Sequence, residues 1–265
     1  KDPGAVLWAK FVRAVRGVWV KPRLVDVAAG LEAASVGNGN EPSAAESLWV
    51  VGKAGRGPVR LGITSLLTTK DSWEACASGT SDLSPARYRR LARLINQCLA
   101  LNPRPTHVLL PELSLPERWI SSVCGRLKDL GISLIAGLDY SRVAGGLIYS
   151  EALLMLSDDR LGYASTVEIR QRKCLPAPAE EEELYARYGH VWDKRPTTKQ
   201  PAVKPIYFHK GFAFGVLVCS ELQNIAYRKA LQGAVDSLFV LSWNRDLETF
   251  GALVESAALD VHAYI

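Results

Sequence analysis

The sequence predicts an α/β domain, on three observations. From residue 59 onward, short apolar runs of strand character alternate with longer segments whose apolar residues recur at helical spacing. The chain has 265 residues, enough for one large domain or two small ones with a sizeable buried core. Its 48% hydrophobic and 22% charged residues fit a soluble globular protein and not a disordered one.

The elements follow in order. Val59 to Leu66 reads as a strand, and Ser84-Pro85 supplies an N-cap and a first-turn proline for an amphipathic helix to about Leu101. The apolar strand His107 to Leu110 runs into Pro111-Glu112. A second helix spans Arg118 to Leu130 and stops at Gly131, where a left-handed C-cap costs little. Ile132 to Leu138 is a buried strand. Glu151 to Leu156 and Tyr163 to Arg170 flank the turn signal Ser157-Asp-Asp-Arg160 and predict a hairpin. Residues 174–205, with five prolines and a run of four glutamates, read as irregular. Strands return at Ile206 to His209 and Phe212 to Cys219 around a Lys210-Gly211 turn, and again at Ser237 to Leu241. Helices are expected at Asn224 to Gln232 and Thr249 to Asp260, and His262 to Ile265 begins another apolar segment.

Residues 1–57 differ in character. Leu7, Trp8, Phe11, Val12, Val15, Val18 and Trp19 share one helical face, opposite Lys10, Arg13 and Arg16. The ordinary role of such a helix is to pack on its own domain or on a neighbour. Turn-forming stretches follow at Gly37 to Ser43 and Gly52 to Pro58. The glycines at 52, 55 and 57 match neither a Walker A loop nor GxGxxG. The chain therefore divides into 1–57, an N-terminal amphipathic helix and linker, and 58–265, the α/β unit.

Several function classes recede. No apolar run approaches the roughly 20 residues of a membrane span, so no membrane partner is expected. Cys76, Cys98, Cys124, Cys174 and Cys219 are odd in number and form no CxxC pair, which predicts a reducing, cytoplasmic setting. His107, His190, His209 and His262 show no metal-ligand spacing. Neither a metal nor a cofactor is expected. A net charge of +5 is too mild to argue for nucleic acid.

Three strand ends stand out, because a strand end holds a reactive side chain rigidly at the mouth of an α/β pocket. LLPEL places Glu112 after a buried strand, IRQRKC places Lys173 at a hairpin end, and VLVCSE places Cys219 at a turn into a helix. Singly, each has a plain explanation. Glu112 reads as a solvated loop carboxylate, Lys173 as a surface charge, and Cys219 as a small core residue, with Ser220 and Glu221 capping the next helix.

Together, in this order, "LLPELSLP", the lysine about sixty residues on, and "GVLVCSEL" resemble the three signature regions of carbon-nitrogen hydrolases, the nitrilase/amidase superfamily. The resemblance covers about residues 59 to 265. It implies a four-layer α-β-β-α sandwich, here cut short at its C-terminus, and homo-oligomers formed through the helices near the nucleophile. It also implies a Glu112-Lys173-Cys219 triad and a small-molecule substrate, an amide before a nitrile. Glu112 would take the thiol proton, Lys173 would stabilise the anionic intermediate, and Cys219 would form a thioester. The same neighbours predict that Cys219 is partly thiolate and the most reactive of the five thiols.

The family's second glutamate falls among Glu180, Glu181, Glu182 and Glu183, which all compete for the role, against the plain alternative of a solvated acidic run opening a helix; Glu180 and Glu183 are carried as candidates. Ser220, Glu221, Trp243 and Asn244 are candidate accessory residues on the substrate side. Cys174 stands where many nitrilases have a short Lys-x-His motif. More narrowly, "LVCSEL", "VLSWNRD" and "LVESAALDVHAYI" look like the nitrilase-like domain fused to bacterial reverse transcriptases in antiviral defence proteins. That likeness implies nucleic acid as a partner only through a missing fused domain joined at 1–57. It also implies the rival reading of a catalytically idle fold used for oligomerisation or sensing.

Overall fold

The computed structural model describes residues 48–51, 57–160, 162–195, 204–244 and 246–265. The helix expected at 7 to 19 and the turn-rich stretch at 37 to 43 lie outside the described residues. In chain order the strands are β1 (Leu48–Val51), β2 (Leu61–Ile63), β3 (His107–Leu115), β4 (Ser133–Leu138), β5 (Ser141–Val143), β6 (Leu147–Tyr149), β7 (Glu151–Asp158), β8 (Ser165–Arg172), β9 (Val191–Trp192), β10 (Ile206–His209), β11 (Phe212–Val218) and β12 (Ser237–Leu241). The α-helices are α1 (Lys70–Ser78), α2 (Pro85–Ala100), α3 (Ile120–Lys128), α4 (Pro178–Tyr188), α5 (Ile225–Leu231) and α6 (Leu247–Val261).

Two mixed sheets, ordered β2-β3-β4-β7-β8 and β1-β10-β11-β12, stack face to face. Both faces of each sheet are covered, so their central strands are nearly continuous apolar runs. The two-residue period of a strand sorts the side chains. On β3 and β4, Val108, Leu110, Leu134 and Ala136 pack with Leu91 and Ile95 of α2 and Val123 and Leu127 of α3. The intervening Leu109 and Ile135 turn inward to meet Tyr207, Phe214, Val216 and Phe239 of the second sheet. On the far side, Leu217 and Leu238 pack under Leu231 of α5 and under Ala257 and Val261 of α6. The result is the four-layer α-β-β-α sandwich. Truncating Phe214, which has no exposed surface, would cost about 3–5 kcal/mol.

Local chemistry sets the helix ends. The Ser84 hydroxyl accepts from Arg87 N, Asn224 from Tyr227 N and Asp246 from Thr249 N. Gly131 adopts the positive φ of 63° expected of a C-terminal stop. The hairpin appears as β7 paired antiparallel with β8, and the Lys210-Gly211 turn joins β10 to β11.

The structure also departs from expectation. Residues 174–205 contain α4 instead of irregular chain, with Pro178 opening it and Gly189 at φ 66° closing it. The acidic run lies inside that helix. Helix α1, capped by Thr69 and ended by Gly79 at φ 91°, has no counterpart in the sequence reading. β1, which falls within 1–57, pairs parallel with β10 in the second sheet. β3 continues through Pro111 and Glu112 with a register shift between Leu110 and Leu115. Beyond α6, Tyr264 makes a single parallel bridge to Ser237.

Candidate active site

Glu112, Lys173 and Cys219 come from β3, the end of β8 and the end of β11, and the topology gathers them at one edge of the sandwich. Glu112 sits in the β3 irregularity, where Leu113 takes φ 52°. The backbone can pass here because its neighbour on β4 is Gly137, at which a Cβ would lie 2.4 Å from the Glu112 Cα. Arg87 holds the other side: it forms a buried two-point pair with Asp139 and donates to the Leu113 carbonyl at 2.9 Å.

Lys173 is 1% exposed, a position open to an ammonium only if it is paired. Its Nζ donates to Glu112 Oε1 at 2.8 Å and to Glu180 Oε2 at 2.6 Å. Trp243 N donates to the other Glu112 oxygen at 3.1 Å. Glu180 is fixed equally firmly: Ala177 N donates to Oε2 at 3.1 Å and the Tyr140 hydroxyl to Oε1 at 2.6 Å. Of the four competing glutamates, Glu180 reaches the lysine. Glu183 is exposed and pairs with Arg187, away from this cluster, and Glu181 pairs with Lys194.

Cys219 follows β11 directly with φ 47°, a left-handed conformation that costs a non-glycine residue about 1–2 kcal/mol. It opens the 3-10 turn Cys219–Gln223. The turn is held from behind by Glu221, which is wholly buried. Glu221 accepts from Val218 N at 3.0 Å and Cys174 N at 2.8 Å, and pairs with Lys204 Nζ at 2.6 Å. The Lys204 ammonium also donates to the Arg172 carbonyl at 2.7 Å. One carboxylate thus ties the strand end carrying Lys173 to the elbow carrying Cys219. Ser220 donates to the Leu175 carbonyl at 2.7 Å, a further brace between the same segments. Glu221 and Ser220 therefore hold the elbow in place, and the next helix, α5, is capped instead by Asn224.

The electrostatics of the cluster revise one expectation. Burial pushes the Cys219 thiol up to about 12; Glu112 and Glu180 add to the rise, while Lys173 and the Ser242 hydroxyl oppose it. Burial works against the Lys173 ammonium too, yet the carboxylates of Glu112 and Glu180 outweigh it and raise its proton affinity. Burial raises Glu112 above the ordinary carboxylate range, partly offset by Lys173. With two carboxylates and one ammonium the pocket is already anionic, so the resting sulfur is a thiol. The expected standing thiolate is opposed first by burial of the sulfur and then by the carboxyl groups that share Lys173. A raised carboxylate beside a raised thiol instead suits transfer of the proton during attack.

Sequence reading missed the wall around these groups. Trp73 Nε1 donates to the Tyr140 hydroxyl at 3.1 Å, and Trp73 stacks on Trp243 with ring centroids 6.0 Å apart. Trp192 lies 5.4 Å from Lys173 Nζ and donates to the Lys173 carbonyl. Trp192 belongs to the small sheet β5-β6-β9, which closes this edge. Tyr140 was discoverable, since it follows a buried strand end as Glu112 and Cys219 do. Trp243 of the candidate pair is at the site, whereas Asn244 is exposed and its side chain accepts from Asp246 N in a local turn. Among the described residues there is no group of His, Cys, Asp and Glu side chains suited to a metal, and no helix long and apolar enough to cross a membrane.

No family model and no curated protein matches the sequence. Solved structures do match. A glutamate-to-leucine mutant of the amidase from Nesterenkonia sp. AN1, described with the acetamide moiety of fluoroacetamide added covalently at the active site cysteine, gives a TM-score of 0.53 at 13% identity, covering 80% of this chain and 76% of that one. A cysteine-to-serine mutant, described as an amidase from the nitrilase superfamily, gives 0.52 at 12% identity over 77% and 74%. A glutamate-to-glutamine mutant bearing acrylamide at the active site cysteine gives 0.51 at 12% identity over 78% and 76%. At such identities the likeness establishes the fold: this chain has the α-β-β-α sandwich of those amidases.

Proposed function

We propose that the protein is a thiol hydrolase of the carbon-nitrogen type, acting on a small non-peptide amide through Cys219, Glu112 and Lys173. The observation that carries this reading is the buried Glu112-Lys173-Glu180 chain, with 2.8 and 2.6 Å contacts, set beside a cysteine on a left-handed elbow. A structural lysine has no need of a nucleophile at that place. The similar structures add support, since their active-site cysteine is described as taking acrylamide and fluoroacetamide, and a mutant as binding butyramide.

In the first half-reaction the Cys219 proton passes to Glu112 while sulfur bonds to the amide carbon. Lys173 and a backbone N–H after Cys219 face the oxyanion. The C–N bond then breaks, and the leaving amine takes the proton from Glu112. Water attacks the resulting thioester, giving its proton to Glu112; the C–S bond breaks, the acid leaves, and Cys219 regains its proton. Glu180 accepts three hydrogen bonds, which hold it where it orients Lys173. Exposed Leu247 and Leu259 on α6, with Ile225 and Tyr264, support self-association through this helical layer.

The test is turnover of small amides. Cys219→Ala should abolish it, and Glu112→Gln and Lys173→Met should each cost at least about 100-fold. Because the groups act together, double variants should be little worse than singles. Full activity in Cys219→Ala eliminates the mechanism, and unimpaired function of the intact parent protein with all three variants favours the idle antiviral module.

A further inference from the structure

We propose that the Ser242 hydroxyl is a catalytic residue, the donor that stabilises the Cys219 sulfur when it carries negative charge. The inference deepens the function proposed above and rests on it. β11 and β12 run parallel with Val218 opposite Leu241, so the next residues, Cys219 and Ser242, emerge side by side. The Ser242 hydroxyl donates to Cys219 Sγ at 3.7 Å, within reach for a sulfur acceptor. It is half-buried and has no other hydrogen-bond partner among the described residues.

Charge makes this donor necessary. Two of the three Lys173 protons are directed at Glu112 and Glu180, and the cluster is anionic before sulfur ionises. A charge-assisted hydrogen bond is worth more than a neutral one, so Ser242 favours the thiolate over the thiol. The contact also belongs to a two-residue device: the adjoining Trp243 N–H holds Glu112 Oε2. The end of β12 therefore touches both donor and acceptor of the proton that moves. In the first half-reaction the S–H proton goes to Glu112 and Ser242 faces the electron pair left on sulfur. In the second, the C–S bond breaks, the pair returns to sulfur, and Ser242 faces it again until Glu112 returns the proton.

Alkylation of Cys219 by iodoacetamide, mapped by peptide mass, reads this without any substrate. Ser242→Thr and Ser242→Val have matched shapes and differ in the hydroxyl. At pH 8 the Val variant should react about tenfold more slowly than the Thr variant, about one unit of thiol pKa, with Thr within about threefold of the unsubstituted protein. Equal rates overturn the proposal. Should the Val variant fail to fold, Ser242→Ala serves: losing an oxygen opens access to sulfur, so a slower reaction supports the hydroxyl's role and an unchanged or faster one refutes it. If the Thr–Val contrast is absent while Cys219→Ala still abolishes hydrolysis, Ser242 alone falls. If the contrast holds but hydrolysis survives Cys219→Ala, the hydrolase mechanism falls instead.

Discussion

Replacing Gly137 with alanine should displace Glu112, the proposed base, without altering any proposed reacting group. The added Cβ would lie 2.4 Å from Glu112 Cα, 2.8 Å from the Pro111 carbonyl oxygen and 3.0 Å from the Glu112 carbonyl carbon. All three are backbone atoms, so no side-chain rotation relieves the clash. Restoring ordinary contact means moving the β3 irregularity by about 1 Å, and overpacking of this kind costs roughly 1–3 kcal/mol. A displacement of that size at a reacting group costs about 100-fold in rate. Urea unfolding and initial rates on an amide substrate measure the two effects. Gly125→Ala is the control: a Cβ there meets nothing within 4 Å, and its place in helix α3 predicts a gain of about 0.5–1 kcal/mol. A Gly137→Ala protein with unchanged stability and rate would refute the claim that close packing of β3 on β4 sets the position of Glu112.

Other outcomes follow from the same structure. Glu221→Gln leaves the buried Lys204 ammonium without its 2.6 Å partner and should cost about 3–5 kcal/mol; pairing it with Lys204→Met should recover part of that, and equal melts for the two variants would contradict the brace. At the opposite edge of the sandwich, His107 Nε2 meets His209 Nδ1 at 2.7 Å, and His209 Nε2 meets the Ser157 carbonyl at 2.8 Å. The two facing nitrogens share a single proton, so the rings cannot both be charged, and burial pushes His107 down to about 2 and His209 to about 4. The unfolded chain binds more protons below the ordinary histidine value near 6.5, so this stability is present above about pH 6.5 and lost as pH falls towards 4; for His209 alone the loss is about 3 kcal/mol. Melting curves of His107→Gln/His209→Gln should lose that part of the slope, and an unchanged slope would contradict it. In size-exclusion chromatography with light scattering, Leu259→Lys should lower the assembly state; an unchanged state would clear this face.

The sheet strands were legible because burial on both sides leaves an unmistakable apolar signature in β4 and β11. Glu112 was not, since a carboxylate after such a run reads on its own as a solvated loop residue. Cys219 and Lys173 gained meaning only through their order along the chain. Helix α4 was legible only as the plain alternative for the acidic run, because the prolines around it look irregular until Pro178 is seen to open a helix and Glu180 to turn inward from it. Ser242 was hidden for another reason: its place beside Cys219 comes from register between strands distant in sequence. The thiol's protonation state was equally out of reach, since it depends on Lys173 being shared by two carboxylates.

The most direct measurement is the intact mass of the protein after exposure to fluoroacetamide, followed by peptide mapping. The mechanism predicts a single stable adduct on the peptide containing Cys219, formed more slowly in Glu112→Gln and Lys173→Met and absent in Cys219→Ala. Labelling confined to Cys174, Cys76, Cys98 or Cys124, or adduct formation at Cys219 that is indifferent to both Glu112→Gln and Lys173→Met, would contradict it.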